Sequence, residues 1–290
     1  MKFKSGFRLF AFSLLLTQGA LSAADTGSEA DLRRFITIDD ISAIVDIGAP
    51  HFSPGGKWIA YESEDRIFLV PTRSGPARPV TESASAASDP HWSADGTALY
   101  FLSDRSGSSQ LWKLGLQEFG EASQVTELEF PVNSINLSPD ESQLLLPVHV
   151  PSKDGAATKV KKPWVMDRLE FKEDADDGYI TDDPPGHFQV YELSSGKLIP
   201  VTSGAYTESD AAWSPDGREI AFVSNREANP DASYKTDIWR ISASRAGDTA
   251  APVRVTGDDH TKQSPAWSPD GKSIAWIDAE DGVYGIQQIA

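Results

Sequence analysis

Ala211-Ala212-Trp213-Ser214-Pro215-Asp216-Gly217-Arg218-Glu219-Ile220-Ala221-Phe222-Val223 is the stretch that decides the fold. An aromatic, a Ser-Pro and an Asp-Gly are followed by a short β-rich run that ends at Ser224-Asn225-Arg226. The Asp-Gly pair suits a two-residue hairpin, because both central positions take positive φ, which Gly adopts freely and Asp tolerates. Further on, Asp237-Ile238-Trp239-Arg240-Ile241 alternates polar and apolar residues at strand period. Upstream, Val201-Thr202 closes a strand, and Thr207 to Asp210 reads as a polar loop. The unit therefore holds three or four short antiparallel strands. A single sheet of that size is marginal in water, so both of its faces need neighbours.

The phrase occurs five times: at Phe52-Ser53-Pro54-Gly55-Gly56, Trp92-Ser93-Ala94-Asp95-Gly96, Leu137-Ser138-Pro139-Asp140-Glu141, Trp213 to Gly217, and Trp267-Ser268-Pro269-Asp270-Gly271. Successive copies are 40, 45, 76 and 54 residues apart. A Val-Thr ending at Thr81, Thr126, Thr202 or Thr256 precedes each of the last four copies by 11 residues. Repeats of this length signal a solenoid or propeller. The expected fold is an all-β propeller of about five to six four-stranded antiparallel blades, incomplete at the C-terminus, where Tyr284 to Ile289 stops inside a blade. Trp92, Trp213 and Trp267 are expected in the core between blades, and the Ser-Pro-Asp-Gly aspartates are expected to form turns. Ser103-Asp104-Arg105 and Ser224-Asn225-Arg226 occupy matching positions.

Residues 1–24 read as a signal peptide, with a basic start (Lys2, Lys4, Arg8), a short apolar run from Leu9 to Thr17 and small residues at Ser22-Ala23-Ala24. Residues 25–48 form a lead-in, in which Thr37-Ile38-Asp39-Asp40 resembles a helix cap before Ile41, Ile44 and Val45. The partial propeller spans 49–290, with a long insertion near 150–186. The formal net charge of −17 argues against nucleic acid and anionic membranes as partners. No segment is apolar for long enough to span a bilayer. The absence of Cys leaves stability to packing and suits a bacterial periplasm or secretion.

Chemistry-bearing motifs are sparse. Gly-x-Ser-x-Gly, a phosphate-binding Gly-rich loop with Lys, and His-Glu-x-x-His are all missing from the sequence. The histidines (His51, His91, His149, His187 and His260) are dispersed without metal-ligand spacing, and His51 and His91 read as structural repeat positions. In Asp174-Ala175-Asp176-Asp177-Gly178-Tyr179, an EF-hand register would put Ala175 third and Pro184 twelfth, so the stretch reads as a solvated acidic loop. No catalytic residue, metal or cofactor is assigned. Arg168, in Trp164-Val165-Met166-Asp167-Arg168-Leu169, is the one candidate substrate contact; its plainer reading is an ion pair with Asp167 or a neighbouring acid.

These residues resemble a known group. The repeats are similar to the WD40-like propeller units of the periplasmic TolB protein and of the prolyl oligopeptidase family of serine peptidases, and the second is the closer match. Thr37 to Ile41 followed by Phe52 to Gly56 resembles the opening of acylaminoacyl-peptidase-like and dipeptidyl-peptidase-like members. Asp167 to Lys172 with Gly178-Tyr179, and Ala221 to Arg226 with Asp237-Ile238-Trp239, resemble their later segments. The resemblance implies a propeller that gates short peptides toward a Ser-Asp-His hydrolase domain. That domain is not in this sequence, so the chain reads as an N-terminal fragment of an exported peptidase that would not cleave peptides by itself, its peptide substrates reached through the missing domain. The alternative is a stand-alone TolB-like interaction scaffold in the periplasm. Open propeller edges would favour self-association.

Overall fold

The computed structural model describes residues 46–82, 84–117, 120–149, 186–233, 235–243, 251–279 and 287–289, which fall in one compact unit. The expected signal peptide, the lead-in helix at Thr37 to Val45, the acidic stretch 174–179 and Arg168 lie outside them.

Among the described residues five antiparallel sheets follow one another in chain order, three of four strands and two of three. The first contains β1 (Gly48–Phe52), β2 (Trp58–Ser63), β3 (Arg66–Pro71) and β4 (Arg78–Pro79). The second contains β5 (Ala87–Trp92), β6 (Ala98–Ser103), β7 (Gln110–Gly115) and β8 (Ser123–Gln124). The third has β9 (Gln143–His149), β10 (Gly186–Glu192) and β11 (Lys197–Pro200); its would-be first strand is reduced to a bridge between Leu137 and Leu144. The fourth comprises β12 (Glu208–Trp213), β13 (Glu219–Ser224), β14 (Asp237–Ser242) and β15 (Val253–Arg254), and the fifth β16 (Thr261–Trp267), β17 (Ile274–Ala279) and β18 (Gln287–Ile289). Among the described residues the helical structure is a single 3-10 turn at Pro230–Ala232. The expected all-β propeller of antiparallel blades is what the chain forms.

Side-chain alternation places the core between blades rather than within them. Leu99 and Phe101 of β6 pack toward the first blade, with Ala60, Ile67 and Leu69, while Tyr100 and Leu102 pack toward the third, with Ile135, Leu144 and Leu146. On β13, Ile220 and Phe222 join Leu145, Phe188 and Trp213, whereas Ala221 and Val223 face Trp267 and Trp276 of the fifth blade. Both faces of these strands are dry, which is why they read as continuous apolar runs.

The repeated phrase has two structural jobs. Each tryptophan indole donates to a carbonyl of the preceding blade: Trp92 Nε1 to His51 O (3.0 Å), Trp213 Nε1 to Asn136 O (3.1 Å) and Trp267 Nε1 to Ala212 O (3.2 Å). All three acceptors sit one residue before the first residue of the earlier repeat, Phe52, Leu137 or Trp213. Phe52 opens the series and is 67% exposed. The turn itself differs from the expected two-residue hairpin. Ser93 N–H bonds Ala98 O across four loop residues and Gly96 N–H bonds Ser93 O; only the glycine, at φ 70°, takes the left-handed conformation. The aspartate stays in ordinary backbone geometry and uses its carboxylate, accepting from Ser93 Oγ (2.7 Å) and Thr97 N (2.9 Å). The same Ser-Asp contact recurs at Ser138–Asp140, Ser214–Asp216 and Ser268–Asp270. This is a type I-based four-residue loop.

Hydrogen bonds from Ser93 and Thr97 hold the Asp95 carboxyl at about 2, and similar bonds lower Asp140, Asp216 and Asp270. A carboxyl depressed in the folded state stabilises above its unfolded value near 3.8, and that contribution is lost as pH falls through the folded value. Acid titration of unfolding should therefore show a stability loss between about pH 4 and 2, and Asp95→Asn should flatten that limb. An unchanged acid limb in the variant would contradict this assignment.

The Val-Thr mark is a second device. Thr81, Thr126, Thr202 and Thr256 each accept through Oγ1 from the N–H of Ile67, Leu111, Phe188 or Ile238 (2.8–3.0 Å). Three of these hydroxyls also donate to a buried acceptor, respectively Gln110, Glu208 and Asp237. Thr207 to Asp210 is not a loop as expected: Glu208 already begins β12.

Candidate functional site

The first strands of four blades carry a bulge that the sequence reading did not anticipate. Three residues before the repeat aromatic, Ala49, Asp89, Asp210 and Ser264 have φ of 44°, 51°, 47° and 50°, where the ladder register shifts. At two of these the aspartate reaches the next blade: Asp89 Oδ2 accepts from Ile135 N (3.0 Å) and Asp210 Oδ2 from Ser264 N (3.1 Å). Asp tolerates left-handed backbone better than bulkier residues, which fits its use here.

Where the third blade lacks a full first strand, a cleft of about 900 Å³ separates it from the fourth. Ile135, Asn136 and Pro147 line one side, Asp210 and Ala211 the other, and Phe188 and Trp213 also contribute. Beyond Leu145, which donates its N–H to Asn136 O, the near edge of β9 has no strand partner among the described residues. The insertion at 150–185 leaves and rejoins this blade between the paired residues His149 and Gly186.

A buried ionic hub adjoins the cleft. The Glu208 side chain is fully buried; its carboxylate accepts from Arg226 Nη2 (2.7 Å), Thr202 Oγ1 (2.8 Å) and pairs with His187 Nδ1 (2.8 Å). Arg226 lies over the rings of Phe222, Trp239 and Tyr206 at 5.0–5.6 Å. The matching Arg105 stacks the same way on Phe101 and Trp112, but there the residue equivalent to Glu208 is Ala87. The Arg match was legible in the sequence; the buried glutamate was not, since Glu208 sat in what read as a loop.

Between the second and third blades, Leu137 supplies no indole. Glu141 replaces that link. It occupies the glycine position of the turn at φ 57°, and its carboxylate accepts from Ala94 N and from Tyr100 OH (2.8 Å). Lys113 Nζ donates to the same phenol (2.9 Å). Burial is the main cause that raises the Tyr100 pKa; the Tyr100 bond chiefly raises that of Lys113. Glu141→Gly would relieve left-handed backbone strain of about 1 kcal/mol but remove a carboxylate whose bonds contribute about 1.5–3 kcal/mol. A net destabilisation of about 0.5–2 kcal/mol is expected, read from chemical unfolding midpoints; a stabilised variant would show that the clamp contributes less than the strain it imposes.

The dispersed histidines do not stay dispersed. His51 and His91, one residue before the aromatic in adjacent repeats, bring their ring centroids to 4.5 Å. Asp89 Oδ1 lies 3.1 Å from His91 Nε2. Burial, then the nearby His91, lowers the His51 pKa. Burial pushes Asp89 upward, but the His91 contact and the Ile135 N–H outweigh it and the carboxyl lies below its ordinary value. His260 meets Asp258 and Asp278 in a second group. Linear spacing hid both clusters because blade packing, not local sequence, creates them.

Residues 38–162 match the TolB beta propeller domain model. The chain is 29% identical over 224 residues to "Uncharacterized peptidase YuxL" of Bacillus subtilis, covering 72% of this chain and 34% of that protein. It is 24% identical to "Dipeptidyl-peptidase 5" of Porphyromonas endodontalis, covering 86% and 39%, so it spans between a third and two-fifths of these relatives. It is also 23% identical to "Uncharacterized protein Atu1656" of Agrobacterium fabrum, covering 79% and 83%. Among solved structures, Pyrococcus horikoshii acylaminoacyl peptidase aligns with TM-score 0.58 at 17% identity over 86% of this chain and 38% of that one. The putative TolB from Agrobacterium tumefaciens aligns with TM-score 0.56 at 20% identity over 83% and 72%. The likeness to the solved structures establishes the fold. The chain is a β-propeller that is similar to the TolB propeller over residues 38–162 and has relatives named as peptidases.

Proposed function

We propose that this propeller is the substrate-gating part of an exported serine peptidase acting on short peptides. The observation that carries this reading is that relatives with peptidase names align over most of this chain yet extend far past it. The cleft between the third and fourth blades supports it: an unpaired strand edge beside apolar side chains offers an extended peptide both backbone bonds and pockets. Arg168, on the insertion rooted at this blade, is the proposed contact for a peptide carboxylate or carbonyl. Export rests on the basic start and short apolar run of residues 1–24.

The test is to express the whole reading frame that contains these residues, label it with a fluorophosphonate, and assay release of dipeptides from chromogenic peptides. Labelling and turnover are expected, with Arg168→Ala raising KM about tenfold, the worth of one charge-assisted hydrogen bond. A frame without a hydrolase nucleophile, and an unlabelled product, would remove the reading.

A TolB-like scaffold is the second reading, favoured by the relative matched over 83% of its own length. It expects a specific envelope partner in a pull-down with the folded chain, and recovery of none would count against it. Either way, Ile47 and Phe52, 64% and 67% exposed on the first blade, are proposed to drive self-association. Light scattering should show oligomers that Phe52→Ser reduces, and a monodisperse wild-type monomer would contradict this.

A further inference from the structure

We propose that His51, Asp89 and His91 form a site for one divalent transition-metal ion of the zinc type, bridging the first and second blades. The candidate ligand atoms all lie within 4.8 Å of one another. The 3.1 Å separation of Asp89 Oδ1 and His91 Nε2 is close to the ligand–ligand edge of about 3.3 Å in a tetrahedral site with bonds near 2.0–2.1 Å. The third ligand comes from the other blade: the ring nitrogens of His51 have no hydrogen-bond partner among the described residues, and its imidazole lies beside that of His91, the centroids 4.5 Å apart and the planes tilted by 40°.

The carboxylate is held before any ion arrives. The bulge at φ 51° turns Asp89, Glu62 Oε2 accepts its N–H (3.2 Å), and Ile135 N–H fixes the outer oxygen. Such surrounding bonds orient metal ligands and are part of a built site. His91 and Asp89 are 31% and 30% exposed, so an ion can enter. Two imidazoles and one carboxylate suit zinc, cobalt, nickel or copper rather than calcium or magnesium. Three protein ligands leave a coordination position for water or a ligand donor atom.

The contrasting cluster shows what excludes a metal. Between Asp258 and Asp278 lies the ammonium of Lys262, fully buried, at 2.5 and 3.0 Å from their oxygens. That single charge already offsets one of the two carboxylates around His260. In the other repeats the residues equivalent to His51 and His91 are Asn136, Ala212 and Ala266, so only the first pair of adjacent blades has an imidazole on each side.

The test is calorimetric titration of zinc into the untagged, chelator-stripped protein, with cobalt absorption as a report of imidazole ligation. One equivalent is expected to bind and raise the Tm. His51→Gln and Asp89→Asn should each weaken affinity at least about tenfold, as losing even a supporting residue does at other sites. His260→Gln should leave affinity unchanged and controls for general destabilisation. Absence of stoichiometric binding by the wild-type protein, binding insensitive to the His51→Gln/Asp89→Asn double substitution, or loss confined to His260→Gln would each overturn the proposal.

Discussion

Glu208→Ala should lower the unfolding free energy by about 3–5 kcal/mol, the usual cost of removing one partner from a buried ion pair. The carboxylate is fully buried and serves Arg226, Thr202 and His187 together. Removing it leaves a guanidinium only 12% exposed, flanked by aromatic rings and without its counter-charge. Replacing both charges with apolar groups of similar volume, as in Glu208→Leu with Arg226→Met, should recover most of that loss, because no unpaired charge remains. In the second blade the position of Glu208 is taken by the buried Ala87, and the matching cation, Arg105, is exposed rather than buried. Urea unfolding monitored by tryptophan fluorescence reads both variants. A Glu208→Ala loss below about 1 kcal/mol, the range of exposed pairs, would show that the hub is wet.

Trp213→Ala should be comparably damaging, by about 3–5 kcal/mol. Trp213 is 9% exposed and packs with Leu145 and Phe188 of the preceding blade and Ile220 and Phe222 of its own. Trp213→Phe separates two contributions. It keeps most of the apolar contact and loses only the bond from Nε1 to Asn136 O, so about 1 kcal/mol is expected. Equal losses in the two variants would mean that the hydrogen bond, not the buried ring, dominates the blade contact.

The blade plan was legible because it is written in spacing. The aromatic, the Ser-x-Asp turn and the Thr fall at fixed offsets, and each makes the same contact in successive repeats. Departures from the repeat were harder to read. Leu137 and Glu141 depart from the aromatic and glycine of the repeat, yet Glu141 takes over the inter-blade link through Ala94 and Tyr100. The Asp-Gly turn was assigned the wrong geometry because Asp216 contributes its carboxylate rather than a positive φ. Sites were least legible. Glu208, Arg226 and His187 come from three strands or loops, and His51 and His91 meet only after two blades pack, so no local motif announces either group. Arg168, the residue singled out for substrate contact, lies outside the described residues.

Hydrogen exchange of the tryptophan indole protons tests most directly whether adjacent blades are joined as described. With resonances assigned by single Trp→Phe substitutions, the Nε1 protons of Trp92, Trp213 and Trp267 should exchange at least about a hundredfold more slowly than a free indole, because each is bonded to the preceding blade. Free-indole exchange rates at all three would contradict the radial stacking of these sheets.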